Sequence, residues 1–452
     1  MIVQVKKKIE IFLLSLILLL AFSMRLIHYD QFPVYGESQD EVAWTWLGSS
    51  LLKEGVPSAW SKFSAYEGFE YKSVSGFGSL VRPFLDHPPL FSFIPGFVHL
   101  ATSEWSQIPS VRVIRFPMIF LGTFNVFLLF LVAKKMFPTE KFLALASSLL
   151  YATAPIFVFS SRLVLAENLL TAFLLFALLA IHMPSSKRRN IFILIISALA
   201  VLTKVSGVLI PLLCIGVGLS KKVKMWKPAT AGLLVGVALF VLYGFVYNGK
   251  LFLQIQASQG RRAIGLATLY NRVILHPAIV DKFYFDGWLI IGLFSLFYIS
   301  AIKHGEKIWP LALYILLNFL FISLTAGEQT FHGWYDFTIF PFLSIITMMT
   351  FFSIIRHKKY VLFCVLWLFI LPQIRMMFIH ADRLEMLSVP VLRGIVILGC
   401  VPFILSLFMK NTSLPKKFIV LLLGILFLSN IATVGVFQKE IYWISDAYFM
   451  AR

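Results

Sequence analysis

Apolar stretches of roughly 20 residues recur from one end of this chain to the other, each long enough to cross a hydrocarbon layer about 30 Å thick. Nothing else in the sequence restricts the fold as much. A backbone in lipid must satisfy its own hydrogen bonds, which leaves α-helices or a closed β-barrel. The runs are continuous and lack the alternation of barrel strands, so helices are expected. A hydrophobic content of 59% with 13% charged residues lies far outside the range of soluble domains. The expected fold is an all-α polytopic membrane protein.

The formal net charge is +19, which in a soluble protein would suggest nucleic-acid binding. Here Lys and Arg fall in short clusters between apolar runs, the pattern of cytoplasmic loops, and no nucleic-acid partner is expected. Cys214, Cys364 and Cys400 all lie inside apolar runs without metal-ligand spacing, which reads as packing and not as a disulfide framework. Lys6-Lys7-Lys8 before residues 11–22 has the look of a signal peptide. Ala21-Phe22-Ser23 is a poor cleavage site, however, and the apolar run continues toward Ile27, so the first span is expected to be retained.

Placing each basic cluster in the cytoplasm orders the chain. Residues 11–29 exit, residues 30–111 form a long first outer loop, and residues 112–133 return. Residues 142–160 and 167–183 form the next pair. Residues 191–219 begin and end at basic clusters and read as two short helices meeting near the outer face at Lys204 and Gly207. Residues 228–247 then exit, residues 248–285 form a second large outer loop, and further crossings lead to a last span at 418–436. The map gives a single domain of about 13 spans with a cytoplasmic N-terminus and an external C-terminus. Trp60, Tyr66, Phe69 and Tyr71 of the first outer loop are expected on short helices lying on the membrane.

Only 21 residues are acidic, and acids gathered beside a span are costly, which points to function. Glu37, Asp40 and Glu41 follow the first apolar run. On this map they share the outer face with Asp86-His87-Pro88-Pro89-Leu90, Ser161-Arg162, Glu167-Asn168, Lys204, Gln259-Gly260-Arg261-Arg262, and Gly327-Glu328-Gln329 leading into His332-Gly333-Trp334-Tyr335. Acids, bases and aromatics converging on one membrane face describe an interfacial active site. Plainer readings stand beside this one. Asp40 and Glu41 would suit the dipole of a helix start, and Asp86-His87-Pro88-Pro89 a rigid turn before a helix. Arg162 and Glu167 could form an ion pair bracing the outer turn, and Lys204 could snorkel to the interface. Trp334-Tyr335 could be an interfacial belt pair. A divalent cation at Glu37, Asp40 or Glu41 stays open, but no Asp-x-Asp pattern fixes one and no cofactor is assigned.

Four of these segments resemble the protein O-mannosyltransferase family and its bacterial relatives, including the lipid A aminoarabinose transferases, which have the GT-C fold. They are the acidic pair Asp40-Glu41, the Asp86-His87-Pro88-Pro89-Leu90 motif, Ser161-Arg162-Leu163 through Glu167-Asn168-Leu169-Leu170, and Lys204-Val205-Ser206-Gly207. The resemblance covers residues 10–215 and includes Arg115-Phe116-Pro117 between the motifs. The 248–285 loop is too short for the soluble domain that eukaryotic members insert. No sizeable C-terminal domain follows the last span, unlike in the aminoarabinose transferases, and Glu167 stands where the eukaryotic family usually has Asp.

The resemblance implies an inverting transfer of a mannose-like or aminoarabinose-like sugar from a polyprenyl-phosphate donor to a hydroxyl of a protein or glycolipid acceptor. It would take place among membrane lipids at the outer face, and the lack of a large soluble domain points to a prokaryotic plasma membrane. A lipid phosphate is a weak base and leaves without a general acid, but it needs a cation to hold the developing charge. The acceptor hydroxyl needs a base on the opposite side of the ring. Asp40 is the expected base, with Glu41 orienting the acceptor or supporting that carboxylate. Lys204 is the first candidate for the donor phosphate, followed by Arg261, Arg262 and His332. Glu37, Asp86, His87, Arg162, Glu167, Trp334 and Tyr335 are expected in supporting or acceptor-side positions. The rival class, a secondary transporter or lipid flippase, would put ionisable groups near mid-bilayer on broken helices in two matching halves. This sequence clusters them at one face, and no halves match.

Overall fold

The computed structural model describes residues 2–34, 39–74, 77–261, 286–302, 305–325, 333–370, 389–409 and 412–436. Glu37, Arg262 and His332, all expected in the site, lie outside the described residues. Among the described residues six helices are long and apolar enough to cross a membrane, and five shorter apolar helices of 10–17 residues accompany them. The protein is an integral, multi-pass, mostly helical membrane protein.

Helix α1 (Ile2–Leu26) leads into the first loop, and α4 (Val111–Met136) follows it. At 26 residues α4 is about 39 Å long. Its last turn carries Lys134 and Lys135, and Lys134 pairs with Glu10 of α1 at 2.7 Å. Cations are favourable at a helix C-terminus, where they meet the negative end of its dipole. Arg356 and His357 likewise occupy the last turn of a later helix, Phe340–His357, and Arg356 pairs with Glu140 at 2.8 Å. These basic clusters mark one end of the bundle.

The first loop caps the other end. It contains α2 (Gln39–Glu54), strands β1 (Ala59–Trp60), β2 (Glu70–Val74) and β3 (Gly78–Val81), and α3 (Phe93–Leu100). The strands form an antiparallel sheet in the order β1-β3-β2, with Trp60 opposite Leu80 and Val74 opposite Gly78. Trp60 and Tyr71 therefore lie on strands and not on the short helices expected for them, while Tyr66 ends a 3-10 turn, Ser64–Tyr66. Gly68 and Gly78 adopt positive φ on either side of β2, letting the chain turn where a continuous helix would otherwise run. Helices α2 and α3 meet at Gly48 and Gly96, where a Cβ on Gly48 would lie 1.8 Å from the Ser92 carbonyl oxygen. That crossing seats α2 deeply, with every residue from Glu41 to Ser50 buried.

Past α4 come α5 (Leu143–Thr153), α6 (Pro155–Ser160), α7 (Ala166–Ile181) and α8 (Lys187–Thr203). Lys204 is extended and ends α8, a 3-10 turn follows at Val205–Val208, and α9 (Leu209–Ser220) resumes. Gly207 lets this break pack, since a Cβ there would sit 2.0 Å from the Ala200 carbonyl oxygen. Helix α10 (Trp226–Gly260) bends at Asn248, which has extended backbone angles. The Asn248 side chain accepts the Leu251 N–H at 3.1 Å and so caps the helical segment beyond the bend. That segment reaches back over the first loop. The remaining described helices are α11 (Trp288–Ala301), α12 (Gly305–Thr325), α13 (Phe340–His357, after a 3-10 turn at Gly333–Ile339), α14 (Tyr360–Leu368), α15 (Val389–Phe408) and α16 (Leu414–Val436).

Candidate active site

A cavity of about 550 Å³ opens at the loop-covered end of the bundle. Asp40, Asp86, His87, Lys204, Trp334 and Tyr335 all line it. These residues come from α2, the segment before α3, the α8–α9 break and the turn before α13, so the fold joins positions up to 295 residues apart in sequence. Gln256, Gln259 and Gly260 from the far segment of α10 close one side, and Phe321 and Thr325 from the end of α12 close another. Next to that wall, α12 exposes Leu316, Leu320 and Leu324 on its outer face.

Asp40 sits half-buried in the first turn of α2. Among the described residues no side chain hydrogen-bonds its carboxylate, which faces the cavity. Its neighbour Glu41 points elsewhere. The Glu41 carboxylate receives two bonds from Arg115, at 2.6 and 2.8 Å, and the Val164 N–H at 3.0 Å. Arg115 also donates to the carbonyls of Tyr29 and Pro33, and both charged side chains are fully buried. Glu41, expected to orient the acceptor or support Asp40, instead locks the start of α2 onto α4. Consecutive helix residues point about 100° apart, so fixing one sends the other toward the open space.

The Asp86 carboxylate is held on both oxygens: Tyr66 donates to Oδ1 at 2.7 Å and Ser61 to Oδ2 at 2.8 Å. Tyr66 in turn accepts the Leu85 N–H at 2.7 Å. Gln259 donates to the Asp86 carbonyl at 2.7 Å and Gln256 to that of Leu85 at 3.1 Å. His87 stacks on Trp44, with ring centroids 4.9 Å apart. The motif thus staples the first loop to α10 while keeping Asp86 and His87 on the cavity wall.

Burial, with the neighbouring Asp86 carboxylate adding to it, pushes the Tyr66 hydroxyl well above the usual tyrosine range. Stability from this donor is complete below the ordinary tyrosine value of about 10 and is lost only as the pH rises beyond it, so none is lost across the neutral range. Tyr66→Phe removes a hydrogen bond to a buried charged group and is expected to cost about 2 kcal/mol. A lowered thermal unfolding midpoint in detergent would register it, and an unchanged midpoint would contradict the network.

Lys204 is nearly buried, and its ammonium lies 2.6 Å from Glu167 and 5.3 Å from the Tyr335 ring centre. Asp40 is close enough for its charge to act on both members of this pair. Glu167 therefore pairs with Lys204 and not with Arg162. Arg162 is buried with its guanidinium on the carbonyls of Met24, Ile27 and Phe32, where it ties the end of α1 to the α6–α7 turn and stays off the cavity lining. Arg261 is exposed at the end of α10, directly after the lining residue Gly260. Among the described residues no three of His, Cys, Asp and Glu gather as a metal site.

Gln259 was among the outer-face residues named from the sequence, whereas Arg115, Ser61 and Gln256 were not assigned to this region. Arg115 had a usable signal, since an arginine five residues into an apolar helix demands a partner. Gln256 lies three residues before Gln259 and shares its helix face, a spacing that could have added it to the set.

Residues 86–247 match the model of the dolichyl-phosphate-mannose-protein mannosyltransferase family. The resemblance drawn from the motifs is borne out. The matched stretch contains the Asp86, Arg162, Glu167 and Lys204 segments and begins after Asp40-Glu41. In shape the chain is similar to ArnT from Cupriavidus metallidurans bound to undecaprenyl phosphate, with 14% identity and a TM-score of 0.57 over 94% of this chain and 76% of that one. The apo state of that protein gives 14% identity and a TM-score of 0.56 over 95% and 77%. No curated protein matches by sequence. The fold is GT-C.

Proposed function

We propose that this multi-span GT-C protein is an inverting glycosyltransferase that moves a sugar from a polyprenyl-phosphate donor to an acceptor hydroxyl. The observation that carries the reading is the meeting of Asp40, Asp86 and Lys204 in one cavity from three separate parts of the chain. Asp40 removes the acceptor proton as the hydroxyl attacks the anomeric carbon, and the lipid phosphate leaves from the opposite face of the ring. The Lys204 ammonium has three N–H donors, of which Glu167 takes one, so others remain for the phosphate. Glu167 offsets much of the lysine charge, and Arg261, with Arg262 and His332 beyond the described residues, would supply the rest.

Undecaprenyl phosphate in the ArnT structure and the family match over residues 86–247 support a polyprenyl-phosphate donor, and the sugar we propose for it is mannose-like or aminoarabinose-like. A protein or a glycolipid would supply the hydroxyl. The basic clusters at the end opposite the cavity support an active site on the outer face of a plasma membrane. Glu41 and Arg162 act as architecture in this scheme, and Asp86, His87, Trp334 and Tyr335 wall the acceptor side. The test is consumption of undecaprenyl-phosphate-linked mannose or aminoarabinose by the purified protein in detergent. Turnover without a sealed vesicle is the expected result. Movement of lipid or solute across vesicles with no donor consumed would favour a transporter.

A further inference from the structure

The cavity that holds the proposed reaction is not the molecule's only sizeable recess. Helix α13 starts just after the cavity-lining Trp334 and Tyr335 and runs 18 residues, about 27 Å, to the opposite end of the bundle. A second groove of about 570 Å³ opens there, lined by Tyr298, Lys358, Lys359, Val365, Phe403 and Ser406 among others. It is a volume that suits a small-molecule or lipid ligand.

The chemistry of the groove is divided along its length. Lys358 and Lys359 stand exposed at the mouth, and among the described residues neither pairs with a carboxylate. The Lys359 ammonium lies 5.0 Å from the Tyr298 ring centre, and the Tyr298 hydroxyl bonds Ser353 at 3.0 Å, which fixes that wall. Lys358 holds a left-handed backbone conformation, φ +57°, at the end of α13, a position glycine usually fills. The first turn of α14 lines the same mouth, and no side chain caps it. Farther from the lysines, the walls are Leu362, Val365 and Phe403. A cationic mouth continuing into an apolar trough complements a molecule with an anionic head and a hydrocarbon tail.

We infer that this groove binds an anionic phospholipid of the surrounding bilayer, with its phosphate at Lys358 and Lys359 and one acyl chain along Val365 and Phe403. The site lies a membrane's width from the catalytic cavity and shares no residue with it, so it does not depend on the proposed reaction. The exposed ammonium groups attract the head, and the trough replaces lipid contacts for the tail.

The test compares phosphatidylglycerol with phosphatidylcholine as ligands of the purified protein in detergent, by native mass spectrometry and by the shift in thermal unfolding. Phosphatidylglycerol is expected to bind roughly 10- to 30-fold more tightly, from the two lysines together. The double variant Lys358→Gln/Lys359→Gln should lose this preference and keep the unfolding midpoint of the lipid-free protein. Reversing the sign with Lys358→Glu/Lys359→Glu should weaken phosphatidylglycerol further. Equal binding of the two lipids by the unaltered protein would overturn the proposal, even if a variant failed to fold. A preference that persists in the glutamine variant would overturn it as well. Displacement of the lipid by millimolar inorganic phosphate would identify a site for a free anion and refute the lipid.

Discussion

Asp40→Asn should lower turnover by roughly 10²- to 10⁴-fold, the range expected when a positioned general base is lost. The substitution preserves shape, and no side chain among the described residues hydrogen-bonds this carboxylate, so the fold should be unaffected. The thermal unfolding midpoint in detergent should match that of the unaltered protein, and donor affinity should change little. Asp86 lines the same cavity but cannot readily substitute. Both its oxygens are already engaged by hydroxyl donors, from Tyr66 and Ser61, which hold the carboxylate against the loop. Near-normal turnover by the purified Asp40→Asn protein would remove Asp40 from the mechanism.

The second large effect concerns stability. Arg115→Met leaves the fully buried Glu41 carboxylate with a backbone N–H from Val164 and no cation. Removing one partner of a buried pair typically costs about 3–5 kcal/mol, because the remaining charge is uncompensated. Glu41→Gln should be milder than Arg115→Met, since the amide oxygen still accepts one bond. The informative comparison is the double variant Glu41→Leu/Arg115→Met. An apolar pair of similar size should recover much of the loss, giving a coupling energy well outside additivity. Additive losses, measured by thermal unfolding of the purified variants, would show that the two residues act separately. Activity should fall in the single variants in step with the folded fraction, which separates this role from that of Asp40.

The sequence carried the membrane class, the resemblance and most of the residues that meet in the cavity. Helices in lipid are legible because apolar length is a local property, and Asp40, Asp86 and Lys204 stand out because charge is scarce there. Pairing was not legible. Glu167 and Arg162 are five residues apart and read as a pair, yet Glu167 bonds Lys204, 37 residues on, and Arg162 reaches carbonyls at the end of α1. Adjacent Asp40 and Glu41 look equivalent in sequence, and the packing of α4 alone separates the group facing the cavity from the one facing Arg115. The small sheet in the first loop was also missed, because its short strands give little periodicity to read.

The wall formed by Phe321 and Thr325 has a kinetic consequence for the proposed reaction. The leucine stripe beside it on α12 lets a long isoprenoid tail stay in the bilayer while the head group enters. Protein and donor then meet by lateral diffusion in two dimensions. What saturates the enzyme is a surface density, the mole fraction of donor among the lipids, and not its molarity in the tube. Two assays at equal bulk donor but different amounts of detergent would report different apparent affinities for one and the same site.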